Sequence, residues 1–159
     1  MRLLLLASGS GTLAQAIIDA HFNVAAILTD NPNSKVIERG SRAGIATKII
    51  PFSSPRSDWD REIFNYVKEV KPDLVVSVGF MKILNKEFVE KFRTINTHPA
   101  LLPNFPGAHA VRDALAAKAT ETGTTVHWVD EGVDTGAVIE QRSVPIEASD
   151  TEETLHERI

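Results

Sequence analysis

The sequence predicts an α/β fold, Rossmann-like and three-layered, with a mostly parallel central sheet and an antiparallel strand pair near the C-terminal end. Three observations carry that expectation. Short runs such as Leu3–Ala7 and Leu74–Val78 are continuously apolar, as strands buried on both faces are. Segments with helical periodicity alternate with them through about the first hundred residues, the pattern of right-handed crossovers in a parallel sheet. Thr124–Val129 and Val138–Val144 alternate more cleanly, and their short connection suits an antiparallel hairpin.

The elements follow in order. Leu3–Ala7, closed by Ser8-Gly9-Ser10-Gly11, is the first strand. Thr12–Ala20 is a helix with Leu13, Ala16 and Ile17 on one face. Val24–Thr29 is the second strand, ended by Asp30-Asn31-Pro32-Asn33. Ser34–Ala43 reads as a helix with Ser34 as N-cap, and Thr47–Ile50 as a short third strand. After the Pro/Ser loop Pro51–Ser57 comes a helix over Asp58–Glu69, with Trp59, Ile63, Tyr66 and Val67 facing inward. Leu74–Val78 is the fourth strand, Lys86–Lys91 a short helix and Thr94–Asn96 the fifth strand. Pro99–Gly107 holds three prolines and is irregular, a cis bond at Leu102-Pro103 being one way to fold it. His109–Lys118 is helical, and a last helix with an acidic first turn starts near Asp150.

With 159 residues, 43% hydrophobic and 24% charged, the chain reads as one globular domain over 1–159. A net charge of −4 argues against broad nucleic-acid binding. The absence of cysteine excludes disulfides, thiolate metal sites and a cysteine nucleophile. The apolar start is too short for a signal peptide, and no segment approaches the roughly 18 apolar residues of a membrane span. A cytoplasmic protein that binds neither membrane nor nucleic acid is the expectation, with a homodimer left open.

In a parallel α/β sheet, ligands bind beyond the carboxyl ends of the strands. Gly9, Ser10, Gly11 and Thr12 lie there, between a strand and a helix N-terminus. They suit a phosphate cradle, with a plain tight turn as the simpler reading. Gly9–Ala14 also fits a loose dinucleotide pattern with Asp30 as a ribose acid, which keeps an NAD-dependent oxidoreductase open. Asn96-Thr97-His98-Pro99 is the stronger signal. Side chains two apart on an extended segment share a face, so an amide and an imidazole converge, as stabilising a tetrahedral oxyanion requires. Asp134, by composition alone, is a solvated acidic turn; Asp130 and Glu131 fit a catalytic role as well. His127 alternates with Thr125 and Val129 and reads as a core histidine; His109 opens a helix; His21 and His156 are surface residues. Trp59 and Trp128 pack, Arg56 and Lys82 are basic residues in loops, and no spacing suggests a metal site.

Ser8–Thr12, Gly79-Phe80-Met81-Lys82-Ile83-Leu84, Asn96–Pro103, Phe105-Pro106-Gly107 and Asp134-Thr135-Gly136 together resemble the folate-dependent formyltransferases, specifically the phosphoribosylglycinamide formyltransferases of purine synthesis. The resemblance runs over nearly the whole chain. It implies transfer of a formyl group from 10-formyltetrahydrofolate to glycinamide ribonucleotide, with Asn96, His98 and Asp134 catalytic. It places Gly9, Ser10, Gly11, Thr12 and Leu13 at the nucleotide phosphate. Met81, Lys82, Ile83, Leu84, Asn96, Asp130, Glu131, Gly132, Val133 and Asp134 fall at the folate, with Arg56 and Lys82 near its glutamate tail. A relative using methionyl-tRNA or water as acceptor is the alternative within the group. In the implied mechanism Asp134 favours charged His98 and assists proton transfer. Three features depart from the family: Leu13 stands where Asn is usual, Lys82 replaces a common Arg and so loses the bidentate fork, and the family continues past Ile159 with a further helix.

Overall fold

The structure, a computed structural model, describes all 159 residues and divides into two compact units, Met1–Thr94 and Ile95–Ile159. The first carries β1 (Leu3–Leu6), α1 (Thr12–Asp19), β2 (Val24–Thr29), α2 (Val36–Arg42), β3 (Thr47–Ile49), α3 (Arg56–Val70), β4 (Leu74–Ser77) and α4 (Lys86–Lys91). Its strands run in the order β3-β2-β1-β4, each neighbouring pair parallel. The order reverses between β1 and β4, so the loops after these strands diverge where α/β sheets bind ligands.

Burial explains the apolar runs. Leu4, Leu5 and Leu6 on β1 are wholly buried, with Ile27 and Leu28 on one side and Val75 on the other. α3 turns Trp59, Ile63 and Val67 inward, a stripe at i, i+4, i+8. The Trp59 indole N–H donates to the Ile50 carbonyl at 3.1 Å, so its one polar atom is satisfied.

The second unit carries β5 (Thr94–His98), which starts at the boundary, then α5 (Ala110–Ala116), β6 (Glu121–Trp128), β7 (Val138–Pro145) and α6 (Glu152–Arg158). β5 pairs with β6 and β6 with β7, both antiparallel, so the expected strand pair is extended by a third strand. Ala100, Leu102, Ala110, Val111, Ala114 and Leu155 form its buried apolar residues. Thr151 and Thr154 cap α6 reciprocally, each hydroxyl accepting from the other's backbone N–H.

Several boundaries differ from expectation. α2 starts at Val36 with Lys35 at its N-cap; Ser34, just before it, donates its hydroxyl to the Gly9 carbonyl at 2.6 Å and accepts from the Val36 N–H at 3.3 Å. Tyr66 is only half-buried, because Ile63 and Val67 already fill the inward stripe. β5 runs on to His98, and β6 starts three residues early, at Glu121. A Cβ at Gly123 would lie 2.0 Å from the Arg142 carbonyl, so this glycine serves close strand approach rather than a turn. The Leu102-Pro103 bond is cis, as is Ser54-Pro55.

Leu5→Ala removes a wholly buried side chain from the strand at the middle of the parallel sheet. It is expected to lower unfolding stability by about 2–5 kcal/mol, read as a lower urea midpoint with an unchanged slope.

Candidate active site

The register of β5 on β6 builds the site. Asn96 lies opposite His127 and His98 opposite Thr125, so these four side chains share one face of the antiparallel sheet. The β6–β7 connection then delivers Asp134, held at φ 55° in the left-handed region. Asp130 shapes that connection: its Oδ1 accepts from the Gly132 N–H at 3.0 Å and the Thr135 hydroxyl at 2.7 Å.

Four groups surround the Asp134 carboxylate. Oδ2 accepts from the Gly107 N–H at 2.8 Å and lies 3.3 Å from His98 Nδ1. Oδ1 accepts from Asn96 Nδ2 at 3.3 Å and lies 3.5 Å from His127 Nε2. The side chains of His98 and His127 are 4% and 3% exposed, and that of Asp134 is 11%, so these contacts are shielded from bulk water.

The outer nitrogens are also fixed. His98 Nε2–H donates to the Phe105 carbonyl at 2.7 Å, and His127 Nδ1–H to the Trp128 carbonyl at 2.8 Å. His127 Nε2 therefore accepts from Asn96 Nδ2 (3.2 Å) when neutral and donates to Asp134 when charged. Asn96 and His98 do share a face, as the sequence implied. They meet at the two oxygens of Asp134 rather than at one open point.

In the first unit, the loop after β1 is organised from behind. The carbonyls of Ser8, Gly9 and Ser10 accept from Asn31 Nδ2 (3.0 Å), Ser34 Oγ (2.6 Å) and Arg39 Nε (2.8 Å). In a planar trans peptide the next N–H points opposite to the carbonyl. The N–H groups of Gly9, Ser10 and Gly11 are thus turned away from those three partners, as in an anion nest. Gly11 sits at φ 69°, and a Cβ there would lie 2.7 Å from Val36. Thr12 and Leu13 open α1 from exposed positions, where helix N–H groups lack intrahelical partners.

Asp30 is not available to a ribose. It is buried, accepts from the Ser8 hydroxyl at 2.5 Å and lies 3.8 Å from Lys82 Nζ, which takes away the acid of the dinucleotide reading. Lys82 also stands over the Phe52 ring at 4.8 Å, and Arg56 over Trp59 at 4.9 Å while bonded to the Ile83 carbonyl. Met81 and Ile83 are exposed and Leu84 is buried. In the second unit Asp130, Glu131, Gly132 and Val133 are exposed.

The family model described as "Formyl transferase" matches residues 1–159. The chain belongs to the formyl transferase family. It is 44% identical to a phosphoribosylglycinamide formyltransferase of Mycobacterium tuberculosis, over 99% of this chain and 77% of that one. It is 39% identical to the protein of that name in Escherichia coli K12, over 100% and 80%. The crystal structure of phosphoribosylglycinamide formyltransferase from Streptococcus pneumoniae superposes with a TM-score of 0.94 at 35% identity, over 99% of this chain and 89% of that one. The α/β fold with a mostly parallel sheet and antiparallel strands toward the C-terminus is thereby shown.

In each unit the structure gives a part to residues whose sequence context did not suggest it: Asn31, Ser34 and Arg39 at the β1 loop of the first, and His127 at the Asp134 cluster of the second. Asn31, Ser34 and Arg39 looked like turn and helix residues, and His127 like a plain core residue. The alternation of β6 did place His127 inward, and its pairing with Asn96 is what makes it a site residue. No group of three or more His, Asp or Glu is placed to hold a metal ion, and no helix is long and apolar enough to cross a membrane.

The pair Asp134–His127 titrates abnormally. For His127, burial opposes the charge; the Asp134 bond, the Trp128 carbonyl and the fields of Asp134 and Asp130 outweigh it, raising the pKa above 6.5. For Asp134, the His127 bond lowers the pKa below 3.8; burial opposes this, and the Gly107 N–H and the charges of His98 and His127 add to it. A depressed carboxylate stabilises the fold above its unfolded value, and that gain is lost as pH falls through the folded value. A raised imidazole stabilises fully below its unfolded value, and that gain is lost as pH rises through the folded value. The stability advantage of the natural protein over Asp134→Asn is therefore expected to be greatest between about pH 4 and 6.5 and to shrink on both sides. Denaturation midpoints of both proteins across pH check this.

Proposed function

We infer that this chain has phosphoribosylglycinamide formyltransferase activity, placing a formyl group on the amine of glycinamide ribonucleotide in purine biosynthesis. We assign 10-formyltetrahydrofolate as the donor. The observation that carries the site assignment is the convergence of Asn96, His98 and Asp134 on one shielded cluster.

Each residue has a role its chemistry permits. The substrate amine attacks the formyl carbon; a C–N bond forms and the carbonyl oxygen gains charge. Asn96 offers an amide N–H to that oxygen. His98, with Asp134 beside its Nδ1, shares its Nε2–H between the Phe105 carbonyl and that oxygen, and such donors act strongly where water is excluded. The bond from the formyl carbon to the folate nitrogen then breaks. The proton lost by the attacking amine passes to that leaving nitrogen, and Asp134 serves as its relay through a water. Atoms and charge balance without a metal or a redox partner.

The loop Gly9–Leu13 is assigned to the substrate phosphate. Its N–H groups, each turned away from the side chain that holds the preceding carbonyl, and the open start of α1 support this and do not need a side-chain amide at Leu13. Arg56 and Lys82, each stacked on an aromatic ring in the first unit, are assigned to the anionic glutamate tail of the folate. Exposed Met81, Ile83 and Val133 are assigned to its apolar contacts.

His98→Ala and Asn96→Ala are each expected to lower kcat by about 100- to 1000-fold. The assay uses purified protein with glycinamide ribonucleotide and 10-formyltetrahydrofolate, followed by absorbance. Turnover near that of the natural protein in both variants would remove the assignment.

A further inference from the structure

We propose that Thr125 and Gln141 are positioning residues for the reaction: together they hold the Ala100–Gly107 loop so that its backbone orients His98 and Asp134. The inference rests on the roles given to those two residues above.

Thr125 is wholly buried, and its hydroxyl is used to capacity. It donates to the Ala100 carbonyl at 2.6 Å and accepts from the Leu102 N–H at 3.1 Å and from Gln141 Nε2 at 2.9 Å. One donor and two acceptors complete what a hydroxyl offers. Gln141 Nε2 also donates to the Leu102 carbonyl at 2.8 Å. Gln141 lies on β7, a strand exposed almost throughout, yet its amide reaches inward to Thr125 across the β6–β7 pairing.

These four bonds fix one end of the loop. Three and five residues past Leu102 come the two backbone groups that touch the cluster. The Phe105 carbonyl accepts from His98 Nε2, and the Gly107 N–H donates to Asp134 Oδ2. Thr125 is also the β6 partner of His98, so the residue that ties the loop and the residue the loop orients sit opposite each other. Neither Thr125 nor Gln141 contacts the carboxylate. Each acts through the loop, so its loss acts on the orientation of the catalytic groups rather than on substrate affinity.

The test uses the full chain with Gln141→Leu, Thr125→Val and Thr125→Ser, with Arg142→Ala as a neighbouring surface control and His98→Ala run alongside. Gln141→Leu is expected to lower kcat about tenfold, the effect of losing roughly one well-placed hydrogen bond, with KM for both substrates within about twofold. Thr125→Ser keeps the hydroxyl and retains activity; Thr125→Val does not. In proton–nitrogen spectra the His98 Nε2–H signal exchanges faster with water in Gln141→Leu, as its Phe105 acceptor drifts. Arg142→Ala matches the natural protein. If Thr125→Val does not fold, Gln141→Leu decides the matter from an exposed strand. Unchanged kcat and an unchanged His98 signal in Gln141→Leu, while His98→Ala is inactive, would overturn the positioning role alone. Full activity in His98→Ala would instead overturn the catalytic assignment beneath it.

Discussion

The second unit is arranged around one shielded negative charge. A carboxylate taken out of water is tolerated only when donors surround it. Asp134 has a backbone N–H, an amide and two imidazoles around its two oxygens. The four donors come from three parts of the chain: Asn96 and His98 from β5, Gly107 from the proline-rich loop and His127 from β6. The carboxylate therefore fixes the mutual distances of groups that are remote in sequence. A Cβ at Gly136 would lie 1.7 Å from the Trp128 carbonyl, so the returning chain crowds the end of β6 at a point only glycine permits. Asp130, closing the same connection on itself, leaves Asp134 as the acid directed at the histidines.

In the first unit the constraint is on peptide orientation. The β1 loop offers little side chain for binding an anion. What its surroundings supply is direction, because Asn31, Ser34 and Arg39 each capture one carbonyl from behind. Two of these are short polar side chains just past β2 and the third lies on α2, so the parallel β-α-β arrangement itself brings them to the loop. Ser34 thus serves both neighbours: its hydroxyl donates to the loop and accepts from the Val36 N–H where α2 begins.

Much of the fold was legible because burial on both faces leaves a plain mark: Leu3–Leu6 and Leu74–Ser77 have no alternation to misread. The antiparallel strands were harder. Thr-Ile-Asn-Thr-His reads as polar loop after Asn96, but pairing with β6 keeps the chain extended to His98. Asn96 and His98 were visible from their spacing, while Asp134 sat among acids of equal merit, and only the family resemblance separated it. Alternation placed His127 and Thr125 inward but gave no sign of their partners, and Gln141 left no local signal at all. Their roles come from register, since which residue lies opposite which is set by strand pairing and not by any run of neighbours. The exposed location of Gln141 was the more misleading, because an edge strand usually turns such side chains to solvent.

The proline-rich segment shows why such distant partners are needed. Pro99, Pro103 and Pro106 remove three N–H donors and prevent a ladder along the loop. Its remaining polar groups still have to be satisfied where they are buried. Two find local backbone partners: the Ala100 N–H reaches the His98 carbonyl at 2.9 Å, and the Asn104 N–H reaches Leu101 at 3.0 Å. Others turn to side chains on the sheet or its β6–β7 connection: Ala100 and Leu102 to Thr125 and Gln141, Phe105 to His98, Gly107 to Asp134. A loop that could pair with itself would have left the imidazole and the carboxylate without these contacts. The prolines thus make the loop depend on the sheet, and through that dependence the catalytic side chains acquire their fixed backbone partners.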